Sequence, residues 1–219
     1  MVPPTTAIAD VLQLRGEKGW LSPPLVPMYR SQAVLGAART VRLASGPGEE
    51  GLMPLHRLLD EDLEGRVVVI AGAQVAAGAV WGEIATRAAV ASGAFGALIE
   101  GGVRNVTVFR DLELPVWALY EATVGPGPDV HVAAVGEPVE IAGVTIADGD
   151  SIVMDWNGVV ALRSHDVISD ACAYADAEES VIVSLQDGST LAEAYQPKAE
   201  MIAKIRASRD APARPSAMT

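Results

Sequence analysis

A single cysteine, Cys172, is all the thiol this chain has. One thiol cannot close an internal disulfide, so no disulfide framework holds the fold. It lies in an apolar run with helical spacing, which reads as a small buried side chain rather than a reactive thiol. Aromatic residues are scarce at 5%. Basic residues are outnumbered, 16 Lys and Arg against 28 Asp and Glu, and the net charge is -12. That balance argues against a basic nucleic-acid surface. It leaves room for a protein partner with a basic patch. The three histidines, His56, His131 and His165, are scattered without metal-ligand spacing. No window reaches about eighteen uninterrupted apolar residues, and the first residues lack a basic region followed by a long apolar run. A soluble, cytoplasmic chain with no membrane partner is expected. G-x-S-x-G, a phosphate loop and Cys-x-x-Cys are missing, and Gly72 to Gly78 does not fit G-x-G-x-x-G. A dinucleotide-binding fold is therefore disfavoured.

What is present is a large apolar fraction. Half of the 219 residues are hydrophobic, mostly Ala, Val and Leu. That suffices for a substantial core in one large domain. The stretch from Gly78 to Asn105 organises the chain. Gly78 and Gly82 flank a turn, and Glu83 opens an Ala-rich helix. Gly93 stands where a C-terminal cap needs a left-handed backbone. Ala97, Leu98 and Ile99 read as a short strand, and Glu100 to Asn105 as a polar loop at its end. Two acids, an arginine and a helix N-terminus then converge at one sheet edge, which suits a small anionic ligand.

Elsewhere, helices are expected over Ala7 to Leu14, Leu52 to Leu59, Asp170 to Leu185 (capped by Ser164 or Ser169) and Leu191 to Arg206. Strands are expected over Val34 to Leu43, Val67 to Ile70, Pro115 to Leu119 and a series of short segments between Val130 and Leu162. Ala142-Gly143 suits a hairpin turn. Ser208 to Thr219 reads as a disordered tail. The order of elements suggests α/β layers.

The chain resembles the RraA-like proteins. These include 4-hydroxy-4-methyl-2-oxoglutarate aldolases, oxaloacetate decarboxylases and the non-enzymatic regulator of ribonuclease activity A. The family pattern is an acid in a G-[DE] pair, twenty residues, then Arg-Asp. Gly82-Glu83 matches the pair, and twenty residues separate Glu83 from Arg104. Leu55-His56 before Val67 to Ile70, the hairpin from Pro138 to Asp150, and Asp155-Trp156-Asn157-Gly158-Val159-Val160 resemble the flanking motifs. The resemblance implies a swivelling β/β/α layered fold over residues 1–207. It also implies a homotrimer or hexamer and a small carboxylate or 2-oxo acid as ligand. The departures are specific. Asn105 stands where the family has a metal-ligating aspartate, Glu100-Gly101 replaces the usual D-G, Ala71 replaces an acid, and Leu119 falls where a basic residue is usual.

Each candidate residue has two readings. Arg104 offers a planar fork that binds a carboxylate through two hydrogen bonds; as a surface arginine it would pair with Glu100 or Asp111. The resemblance makes Arg104 catalytic, and Glu83 the acid that orients water; helix-start chemistry alone also accounts for Glu83. The amides of Ile84 and Ala85 match positions that bind a pyruvate carboxylate. Magnesium is implied by the resemblance, but Asn105 carries no charge, and Asn105 is also a good turn residue. Glu100 could compensate by reaching into the site. Glu178 and Glu179 read as a solvated acidic face, or as acids from a neighbouring subunit. Trp81 and Trp117 read equally as pocket wall or core.

The function expected is a divergent lyase acting on a small 2-oxo acid by aldol cleavage or decarboxylation, with an altered metal site. The alternatives are a non-catalytic regulatory or binding protein on the same scaffold, and a metal-independent enzyme repurposed in a biosynthetic pathway.

Overall fold

The computed structural model describes residues 2–22, 25–29 and 33–210, the last three of these by backbone only. In chain order the elements begin with helix α1 (Thr5–Arg15), strands β1 (Val26–Pro27) and β2 (Val34–Ser45), helix α2 (Met53–Leu59) and strand β3 (Arg66–Ala71). Next come β4 (Ala79–Trp81), α3 (Glu83–Ala91), β5 (Gly96–Val103), α4 (Thr107–Asp111) and β6 (Val116–Glu121). Five short strands follow: β7 (Val130–Val135), β8 (Val139–Ile141), β9 (Val144–Ile146), β10 (Ser151–Met154) and β11 (Val159–Leu162). The chain continues with α5 (Asp166–Gln186), α6 (Leu191–Ala194) and α7 (Gln196–Asp210). The chain divides into two compact units. One is Gly19–Ser164; the other joins, among the described residues, 2–18 to 165–210.

The larger unit is built on a mixed sheet in the order β1-β6-β5-β3-β2-β10-β11, with β4 added beside β5 and β7 beside β2. The strands β2, β3, β5 and β6 run parallel, and β10 and β11 are antiparallel. Both faces of the parallel strands are covered, which is why β3 is nearly all apolar rather than alternating. Val68 and Ile70 point to one face, where Leu55 and Leu58 of α2, Ala89 of α3 and Phe109 of α4 pack. Val67, Val69 and Ala71 point to the other, under Ile141, Val144 and Ile146 of the β8–β9 hairpin. The hairpin turn has positive φ at both Ala142 (46°) and Gly143 (75°), the pair of left-handed residues that a two-residue β turn uses.

The expected polar loop after Ile99 is strand instead. β5 continues to Val103, with a register shift between Ile99 and Gly102. The two glycines allow this. A Cβ on Gly101 would press the Ala73 backbone at 2.7 Å, and one on Gly102 would press the Tyr120 ring at 2.7 Å. Likewise Gly78 and Gly82 flank the short strand β4, not a bare turn.

In the smaller unit, α1 packs with α5 and α7. Arg15 ties the helices together by pairing with Asp166 (3.1 Å) and Asp170 (2.6 Å). The helix α5 begins four residues earlier than expected. Its cap position is His165 rather than Ser164 or Ser169. Thr190 and Glu193 form a reciprocal capping box on α6. The expected tail falls partly in α7, which reaches Asp210; residues 211–219 lie outside the described ones. Among the described residues no helix is long and apolar enough to cross a membrane.

Candidate functional site

The strands β4 and β5 pair in parallel, with Ala79 beside Gly102 and Trp81 beside Val103. Their carboxyl ends therefore emerge side by side. From β4 the chain turns through Gly82 into α3, and from β5 it passes through Arg104 and Asn105 towards α4. The Arg104 amide donates to the Trp81 carbonyl at 3.0 Å, fixing one exit against the other. A crevice outside the carboxyl ends of parallel strands is the usual ligand position in such sheets.

A buried clamp holds the β4–α3 turn. The Trp81 indole N–H donates to Thr86 Oγ1 at 3.0 Å, and that hydroxyl donates to the Gly82 carbonyl at 2.8 Å. Gly82 is extended (φ -169°, ψ -158°), so its glycine identity is not a matter of dihedral strain. Close approach requires it: a Cβ there would stand 3.0 Å from Arg104 Cγ. Gly82 has no side chain to cap α3, and no side-chain cap bond is made. The first-turn amides of Ile84 and Ala85 are thus presented at the positive end of the helix.

Arg104 is exposed, and among the described residues it takes part in no ion pair. The partners suggested for a surface arginine are engaged elsewhere. Asp111 pairs with Arg110 at 3.1 Å. Glu100 accepts from the amide of Gly72 at 2.9 Å and from that of Ala142 at 3.4 Å. Those bonds place the Glu100 carboxylate toward the β8–β9 hairpin. Glu83 is tied to Arg87 one turn along α3 by contacts of 2.8 and 2.9 Å.

Arg104, Asn105, Glu83, Ile84 and Ala85 line one cavity of about 510 Å³. Glu100 is not among its lining residues. Of the two tryptophans, Trp81 lines the cavity and is also core, whereas Trp117 packs in the core below the hairpin. The cavity also takes His56, read from the sequence only as part of a flanking motif, and residues the sequence did not single out: Leu52, Leu59 and Asp60 from α2 and its flanks, Ala88 from α3, and Pro126. His56 in α2 and Asp60, the residue just past its end, are four apart, a spacing that sets them on one helix face. Nothing local said that this face meets α3.

Asn105 adopts φ 57°, in the left-handed region that asparagine tolerates better than most residues. Turn geometry by itself accounts for an asparagine at this position.

The RraA-like family (Aldolase/RraA) matches residues 5–161. The chain belongs to this family. Protein DlpA of Legionella pneumophila is 28% identical over 195 residues, 86% of this chain but 31% of DlpA, so the chain spans under a third of that relative. A Halalkalibacterium halodurans protein named "Putative 4-hydroxy-4-methyl-2-oxoglutarate aldolase" is 28% identical over 73% of this chain and 72% of its own. A crystal structure of an uncharacterized protein from Pseudomonas syringae superimposes with a TM-score of 0.76 at 26% identity, covering 88% of this chain and 92% of that one. A Streptomyces coelicolor protein, described as an unusual member of the RNase ES inhibitor RraA family, has a TM-score of 0.70 at 22% identity, covering 80% and 88%. The last likeness is one of fold.

The RraA-like pattern thus falls on two adjoining strand exits, which is how Glu83 and Arg104, with twenty residues between them, come to share a cavity. Whether a divalent ion fits is a question of donors. Asn105 brings a neutral amide, Glu100 is bonded to backbone amides away from the cavity, and Glu83 is paired with Arg87. Among the described residues no group of three or more His, Cys, Asp and Glu side chains is placed to hold a metal. Magnesium favours several hard oxygens with at least one carboxylate. The described donors of this chain do not by themselves meet that requirement.

Proposed function

We propose that this RraA-like chain binds a small 2-oxo acid or related carboxylate in the cavity between α2 and α3, and acts on it as a lyase. The observation that carries the reading is Arg104, an exposed guanidinium without a carboxylate partner among the described residues, beside the uncapped start of α3. A guanidinium fork and helix-start amides are complementary to a carboxylate. Kinship with proteins named as aldolases supports a lyase.

Aldol cleavage or decarboxylation beside a ketone leaves an enolate, and the site must stabilise that developing oxyanion. In this reading the amides of Ile84 and Ala85 receive the carboxylate. Arg104 spans the carboxylate and the adjacent oxo group, donating to both. Glu83 holds a water for proton transfer to the enolate carbon. Its bond to Arg87 fixes the direction of that carboxylate.

Asn105 favours a second reading, in which the same cavity binds a ligand without turning it over. A neutral amide stands where the family pattern has a charged carboxylate. A regulatory or binding protein would then share the scaffold, as would an enzyme that needs no metal.

Pyruvate release from oxaloacetate, with and without magnesium, separates the readings. A lyase releases pyruvate above the uncatalysed rate and loses this with Arg104→Ala. Carboxylate binding that depends on Arg104 without pyruvate release selects the binding protein, or an enzyme for another substrate. The absence of both binding and release would contradict the carboxylate site.

A further inference from the structure

The cavity is larger and more apolar than a three-carbon oxo acid requires. Its volume of about 510 Å³ falls in the range of roughly 300–1,000 Å³ seen for sites that enclose drug-sized ligands. Arg104, the first amides of α3 and the side chains of His56, Asp60, Glu83 and Asn105 make up the polar part. The apolar part is Leu52 just before α2, Leu59 at its end, the Trp81 ring, and Ala88 on α3. Ala85 and Ala88 stand three apart on α3, so they lie one above the other along its cavity face. The apolar wall therefore continues for about a helical turn beyond the amides, roughly 5 Å. Ile84, 85% exposed at the mouth, extends it outwards.

Charge narrows the ligand further. Besides Arg104, the ionisable side chains of the lining are His56, Asp60 and Glu83. Two of these are acids, so a second carboxylate on the ligand would meet like charge. A dicarboxylate is poorly matched to this lining, and a single carboxylate followed by a hydrocarbon chain is well matched.

We propose that the site takes monocarboxylates, 2-oxo acids among them, with an apolar chain of several carbons laid along the wall formed by Leu52, Leu59, Trp81 and Ala88. This rests on the carboxylate reading of Arg104. Each methylene that moves from water onto the wall should tighten binding about three- to fourfold, until the wall is covered.

Calorimetry on the full-length protein tests this with the unbranched 2-oxo acids from pyruvate to 2-oxooctanoate, and with oxaloacetate and 2-oxoglutarate. Affinity should climb with chain length, and each dicarboxylate should bind more weakly than the monocarboxylate of equal carbon number. Ala88→Gln and Leu52→Gln, checked for an unchanged circular dichroism spectrum, should flatten the climb. Arg104→Ala should weaken every member of the series. If short acids bind in an Arg104-dependent way but affinity is flat with length, or dicarboxylates bind better, this proposal falls and the carboxylate reading stands. If affinity climbs but ignores Arg104→Ala, or if no acid of any length binds, both fall together.

Discussion

Gly82 sets the spacing between the arginine and the start of α3 by having no side chain. Because its backbone is extended, alanine fits the dihedrals there; the cost is the 3.0 Å approach to Arg104 Cγ. Gly82→Ala should therefore leave stability within about 0.5–1 kcal/mol while displacing the guanidinium. Carboxylate affinity should drop on the order of tenfold, read by calorimetry beside a thermal melt. A variant that loses stability and affinity in proportion would locate the role of Gly82 in folding instead. Asn105 makes a separate test. Asparagine and aspartate both tolerate the left-handed backbone, so Asn105→Asp should keep the loop and add one charge. Magnesium affinity should rise by about tenfold or more. Glu100→Gln should leave magnesium affinity alone, since that carboxylate serves the amides of Gly72 and Ala142. The reverse ranking would move the ion to the other face of the sheet.

At the scale of elements, the junction between β4 and α3 rests on Thr86. Its fully buried hydroxyl accepts from Trp81 and donates to the Gly82 carbonyl. Thr86→Val keeps the shape but leaves the indole N–H unpaired. A loss of about 1–3 kcal/mol in denaturant unfolding is expected, with weaker carboxylate binding because Gly82 is no longer held. Unchanged stability would show that another acceptor reaches Trp81. The helix start at Glu83, the left-handed Gly93 (φ 83°) and the Ala142-Gly143 turn were legible because each depends on local chemistry. The end of β5 was not. Glu100, Gly101 and Gly102 look like a loop in sequence, yet they are strand because their neighbours Ala73 and Tyr120 come too close for side chains. That closeness is tertiary, as is the meeting of α2 with α3 that completes the cavity. The resemblance supplied Arg104 and Glu83, but it could not supply the wall.

At the scale of the molecule, the sheet edge beyond β6 is the open question of assembly. Among the described residues β1 pairs with Trp117 and Ala118, and the next residues, Leu119 and Tyr120, are 37% and 42% exposed. Val124, in the turn that follows, is 61% exposed. Apolar side chains on an edge with few paired neighbours are a common place for a second chain to pack. With the family resemblance, this leads us to propose a homotrimer or a dimer of trimers. Light scattering at micromolar concentration should give three or six times the chain mass. A monomer across that range would remove neighbouring subunits from any account of the site.

The central claim is that a carboxylate is held by the Arg104 fork. Calorimetric titration of pyruvate into wild type, Arg104→Ala and Arg104→Lys tests it most directly. Losing the charge-assisted bonds should cost the alanine variant about 1.5–3 kcal/mol, on the order of ten- to a hundredfold in affinity. Lysine should recover little of this, because a point charge does not replace two parallel hydrogen bonds. Equal affinity in all three proteins, each folded by circular dichroism, would contradict the claim.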